Sequence, residues 1–118
     1  ADNYPPGENF IRMRGIPFTA REREIIEFFA RSSVLPMGVS IVYNNRDQAT
    51  GEAFVEFSNS DDLMRGLQLN RENMGHRYVE LFRSTRAEAM TALGVPGYGM
   101  QQGYGGGGGG RDMGMGGG

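Results

Sequence analysis

Cysteine is absent from this chain, so neither a disulfide framework nor a thiolate metal site can be built. His76 is the only histidine, and no motif carries the spacing of a nucleophile or a metal site, so nothing points to catalysis or to a cofactor. No apolar run is long enough for a membrane-spanning helix. The opening segment, Ala1 to Glu8, is polar and lacks the apolar core of a signal peptide; it reads as a flexible lead-in. An excess of positive charge is missing as well: the net charge is −2 and the pI about 5.4. That argues against binding polyanions through bulk electrostatics, since non-specific nucleic-acid affinity comes mainly from phosphate neutralisation. Lysine is also absent, so all 12 basic residues are arginine. Arginine is always charged, planar, and able to stack on a ring or bond bidentately. Codon bias is the bland explanation of that choice; selective recognition is the sharper one.

What is present centres on the octamer Thr50-Gly51-Glu52-Ala53-Phe54-Val55-Glu56-Phe57. It nearly matches the RNA-binding strand signature K/R-G-F/Y-G/A-F-V-x-F/Y. Gly51, Ala53, Phe54, Val55 and Phe57 fit; Thr50 replaces a cation and Glu52 replaces an aromatic. The signature of the fold is intact, while half of the usual stacking chemistry is gone.

The pattern around the octamer predicts β-α-β-β-α-β with one extra helix. Phe10 to Gly15 alternates as a strand, with Ile11 and Met13 on one face and Phe10, Arg12 and Arg14 on the other. Thr19 to Glu22 reads as a capping box, opening a helix to about Arg31 whose apolar stripe is Ile25, Ile26, Phe28 and Phe29. Strands follow at Val39–Tyr43 and Glu52–Phe57. Ser60 is placed to cap a helix from Asp61 to about Leu69, with Leu63 and Leu67 as its buried pair. Gly66 in its middle costs about 1 kcal/mol against alanine and suggests a close approach of helix to sheet. Tyr78–Phe82 is the expected fourth strand. Thr85 to Glu88 opens the extra helix, which Gly94 ends. This order is ferredoxin-like, an α+β sandwich: a four-stranded antiparallel sheet, two helices on one face, and a short C-terminal helix. The domain should span residues 9–93. Residues 94–118 form a glycine-rich, low-complexity tail expected to be disordered, a linker or solubilising segment with Arg111 as its one cation.

The outward face of the central strands carries Arg12, Arg14, Glu52, Phe54 and Glu56. Typical sheet-face RNA binders place aromatics there for base stacking. Here cross-strand pairs between Arg12 or Arg14 and the octamer's glutamates are expected instead, and the carboxylates would repel phosphate. Phe54 remains, but Met90 or Leu93 of the last helix can cover it. Recognition chemistry is richer in the loops. Phe18 follows a proline after the first strand, Arg14 ends that strand, and Arg77 and Tyr78 stand where the last loop meets the fourth strand. The bland alternatives are a hydrophobic contact for Phe18, a solvated charge for Arg77 and a half-buried strand position for Tyr78. Together the four would form a small cage suited to guanine, whose O6 and N7 match a guanidinium and whose face stacks well.

Three segments carry a family resemblance: Arg12 to Phe18, Thr50 to Phe57, and Arg71 to Ser84 with its Met-Gly-His-Arg-Tyr run. They resemble the quasi-RRM domains of the heterogeneous nuclear ribonucleoprotein F/H family, over about Asn9 to Leu93. The resemblance implies that guanine tracts of single-stranded RNA are held by loops, with Arg14, Phe18, Arg77 and Tyr78 at the matching positions. It further implies pre-mRNA splicing or RNA processing, a mainly nuclear location, and other splicing or RNA-processing proteins as partners. Asn44 to Ala49 departs from the family pattern. The alternative class is an RRM-like protein-interaction domain, favoured by the acidic balance and the charged sheet.

Overall fold

Alternation drives the first strand into the middle of the sheet. In the computed structural model, which describes residues 8–94, β1 (Phe10–Arg14) buries Ile11 and Met13 completely on one face. The elements that follow are α1 (Glu22–Ala30), β2 (Gly38–Tyr43), β3 (Ala49–Glu56) and α2 (Ser60–Leu67). Then come β4 (Asn73–Met74), β5 (Arg77–Tyr78), β6 (Glu80–Ser84) and α3 (Arg86–Ala92). The main sheet is ordered β2-β3-β1-β6 and is antiparallel throughout, while β4 and β5 pair as a separate hairpin. This is the expected ferredoxin-like sandwich. The expectations for Ala1–Gly7 and Val95–Gly118 fall outside the described residues.

The inner face of the sheet packs Ile11, Met13, Val55 and Phe57 against Ile25, Phe28 and Phe29 of α1 and Leu63 of α2. Phe29 meets both Phe28 and Phe57 edge-to-face, at centroid separations of 5.3 and 5.2 Å, the geometry preferred by the ring quadrupoles. Gly66 is where α2 comes down on this layer. A methyl group there would stand 3.2 Å from Ile11, Phe29 and Phe57, so the close approach read from the glycine is present.

Several ends differ from the sequence reading. The Thr19 box does not start α1; the N-cap is Arg21, whose N–H donates to the Glu24 carboxylate at 2.7 Å. Residues Pro17 to Ala20 are taken up by a turn, the Ala20 N–H donating to the Pro17 carbonyl at 3.0 Å. The cap of α2 is Asn59 rather than Ser60, its side chain accepting from the Asp62 N–H at 2.8 Å. Thr85 caps α3, accepting from the Glu88 N–H at 3.1 Å, but the Glu88 carboxylate accepts from the Ser84 hydroxyl instead of closing the box. The fourth sheet strand is Glu80–Ser84, and Arg77–Tyr78 belongs to the small hairpin.

The outer face is half closed. Phe10 and Phe54 are 4% and 3% exposed beneath Ala89, Met90 and Leu93 of α3. Arg86 clamps the helix down, bonding Glu56 at 2.9 Å and lying 5.2 Å over the Phe10 ring. The expected pairing of Arg12 and Arg14 with the octamer's glutamates gives way to this arrangement. Register accounts for Arg12 and Glu56, since Arg12 lies opposite Phe54 and Phe82, and Phe10 lies opposite Glu56; Arg14 stands between Glu52 and Glu80 and pairs with the latter. Arg12 therefore covers the Phe82 ring at 4.9 Å, and Arg14 turns to Glu80 at 3.8 Å.

Candidate nucleic-acid interface

Two glycines in left-handed conformations build the exposed loop after β1. Gly15 and Gly51 both have φ of +88°, a region costly for any residue with a Cβ. The Gly51 carbonyl accepts from both the Gly15 N–H, at 2.9 Å, and the Ile16 N–H, at 3.1 Å. Buried Ile16 anchors the segment, and the Pro17–Ala20 turn then holds Phe18 outward, 62% exposed. Gly51 lies beneath that ring: a methyl group on it would stand 3.2 Å from Phe18 Cε1. Thr50, where the signature has a cation, serves the backbone instead. Its hydroxyl donates to the Val42 carbonyl at 3.0 Å and accepts from the Glu52 N–H at 3.3 Å.

The second half of the site is the β4–β5 hairpin, which reverses at Gly75 with φ of +62°. The Arg71 N–H closes its base by donating to the Val79 carbonyl, and the Arg31 guanidinium at the end of α1 ties it to the domain by donating to the Asn73 carbonyl, each at 2.8 Å. The hairpin backbone presses on the first loop, since a Cβ on Gly15 would stand only 2.6 Å from the Tyr78 carbonyl oxygen. Arg77 then bridges the two segments. Its Nε donates to the Gly15 carbonyl at 3.4 Å, and its guanidinium lies 5.8 Å from the Phe18 ring centroid, at the outer limit of a cation–π contact.

The four residues singled out from sequence are thus all exposed at one edge. Arg77 and Phe18 meet directly, and Tyr78, 55% exposed, joins through its backbone at Gly15. Arg14 is placed beside them at the end of β1, but its contact is Glu80; both side chains are largely solvated, so that pair contributes little and the guanidinium can exchange partners. The sequence reading missed Gly15 and Gly51 as the seat of the site. The available signals are a glycine just past one strand and another near the start of the facing strand, inside the octamer.

The family model for the RRM domain matches residues 11–99. The chain belongs to the RRM family. It is 38% identical over 89 residues to heterogeneous nuclear ribonucleoprotein H of Rattus norvegicus and 37% identical to that of Homo sapiens. Each match covers 75% of this chain, and the chain spans 20% of the length of either relative. Among solved structures, the Glorund qRRM2 domain is similar at 42% identity and a TM-score of 0.66, covering 70% of this chain and 96% of that one. G-rich RNA sequence binding factor 1 from Homo sapiens is similar at 25% identity and a TM-score of 0.62, covering 73% and 92%. Within the RRM family the chain is of the quasi-RRM type. It is an RNA-binding domain, not an enzyme.

Proposed function

We propose that this domain binds guanine tracts of single-stranded RNA through Arg14, Phe18, Arg77 and Tyr78, rather than through the face of its sheet. The carrying observation is the juxtaposition of Arg77 and Phe18 across Gly15, at an edge left open while Phe54 is buried under α3. Phe18 supplies a ring face for stacking, and Arg77 and Arg14 supply planar donors for O6 and N7. The net charge of −2 suits contacts to bases more than contacts to phosphates. Similarity to a G-rich RNA sequence binding factor supports the choice of base. The names of the ribonucleoprotein relatives support a place in nuclear pre-mRNA splicing or RNA processing, alongside other proteins of that machinery.

Titration of the domain with AGGGAU and with an adenine-substituted control tests this. Binding to the first and little to the second is expected; equal or absent binding to both would sink the guanine reading. Base–aromatic stacking contributes about 1–3 kcal/mol, so Phe18→Ala should weaken AGGGAU binding by roughly 5- to 150-fold. Arg77→Ala should weaken it as well, with the fold intact in both variants.

A second reading rests on Leu35 and Met37, which are 71% and 62% exposed beside the start of β2. They favour an additional protein contact away from the RNA edge. The reading would gain ground if neither RNA bound.

A further inference from the structure

α3 leaves one corner of the outer sheet face open, and that corner continues the loop cage. The helix packs on Phe10 and Phe54, with Val42 of β2 beside them, so it covers the β2-β3-β1 side. On the other side, Arg14 faces Glu80 and Arg12 faces Phe82 across β1 and β6. Phe82 is 37% exposed, with the Arg12 guanidinium 4.9 Å from its ring centroid. Phe82 lies two residues along β6 from Glu80, about 7 Å at the usual strand rise. Glu80 in turn is in contact with Arg14 of the cage. Arg12 marks the border, since it also lines the cleft under α3 with Phe54 and Thr91. Its Nε is buried without a hydrogen-bond partner, so the guanidinium is held in place by packing between Phe54 and Phe82.

We propose that Phe82, with Arg12 over its ring, forms a second base-stacking site on the open corner of the sheet, taking the nucleotide next to the one held by the cage. The ligand class is a planar nucleobase of single-stranded RNA, read by stacking and therefore tolerant of base identity. The chemistry suits it. A partly exposed aromatic ring, a cation over it and a second arginine alongside combine π-face and positive charge. Of the carboxylates nearby, Glu80 is matched by Arg14, while Glu52 and Glu88 line the cleft on the far side of Arg12, under α3.

This inference rests on the loop-cage reading, and RNA length separates the two. GGG reports on the cage, whereas GGGAA and AAGGG add nucleotides on either side. Wild-type protein is expected to bind one of the extended RNAs more tightly than GGG. Phe82→Leu keeps an apolar side chain on β6 but removes the ring, and Phe82→Ala removes both. Each should leave GGG affinity within about twofold and reduce the gain from extension by roughly 5-fold or more. A gain from extension that is the same in wild type and Phe82→Leu overturns the proposal and leaves Phe82 a packing partner of Arg12. Absence of any gain in the wild type overturns it too. Failure of the cage reading looks different: Phe18→Ala would then leave GGG binding intact. Thermal unfolding of Phe82→Leu confirms that the fold is present when its affinities are compared.

Discussion

Gly15→Ala perturbs the joint on which the RNA edge depends, and its cost can be worked out in two parts. The backbone there has φ of +88°, and a left-handed alanine costs about 1–2 kcal/mol. The added methyl would stand 2.6 Å from the Tyr78 carbonyl oxygen. Ordinary contact begins near 3.4 Å, so the backbone of β5 must retreat by about 0.8 Å, the difference of the two. Because a carbonyl cannot rotate away as a side chain does, an overpacking cost of about 1–3 kcal/mol is added. The total is about 2–5 kcal/mol, a large part of the roughly 5–15 kcal/mol typical of a domain. Gly75→Ala is the control. It too has positive φ, +62°, but nothing lies within 4 Å of its would-be Cβ, leaving only the conformational cost. Urea unfolding reads both. With a slope of about 1 kcal/mol/M for a small domain, Gly75→Ala should lower the midpoint by about 1–2 M. Gly15→Ala should lower it by at least about 1 M more, or leave the domain unfolded in buffer. Equal midpoints would refute the reasoning that the hairpin backbone is seated against Gly15.

Other consequences are simpler. Arg77→Lys keeps the charge but loses the planar fork and the Nε–H that bonds the Gly15 carbonyl; AGGGAU affinity should fall at least tenfold while the unfolding midpoint stays nearly constant, as fluorescence anisotropy and urea titration would show. Asn59→Ala removes the cap of α2 and should cost about 0.5–2 kcal/mol by chemical denaturation, with RNA affinity of the folded protein unchanged. Raising salt should weaken binding only gently, because few phosphates are neutralised in a base-centred site. A plot of log affinity against log salt is expected to give a slope no steeper than about −2, and a slope near −5 would indicate broad phosphate contact instead.

The parts of this fold that the sequence makes legible are those set by local periodicity. Ile11 and Met13 against Phe10 and Arg12 give the sidedness of β1, and Ile25, Phe28 and Phe29 give the buried stripe of α1. Gly66 marks the close approach of α2 for the same reason, since only a missing Cβ fits between Ile11, Phe29 and Phe57. What register decides is not local. Arg12 reaching Phe82 and Glu56 reaching Arg86 depend on which residues stand opposite across three strands and on where α3 lies. Helix caps are another weak point: Thr19 fits a capping box by spacing, but the Pro17–Ala20 turn ends too late for Thr19 to serve. The hairpin that carries Arg77 and Tyr78 escaped notice because its strands are two residues each, too short for any alternation to register. The candidate site itself is readable as four residues, two arginines and two aromatics, around two loops. Its geometry is not, because it depends on a contact between Gly15 and Tyr78 that lie 63 positions apart.

Mapping of backbone amide shifts by NMR, as AGGGAU is added to the domain, tests loop recognition most directly. If the loops hold the guanines, the largest changes fall on Gly15 to Thr19 and on Gly75 to Tyr78, while Ala53 to Glu56 and Ala89 to Leu93 barely move. Largest changes on that second set would mean that α3 lifts and the sheet face binds the RNA, contradicting recognition by the loops.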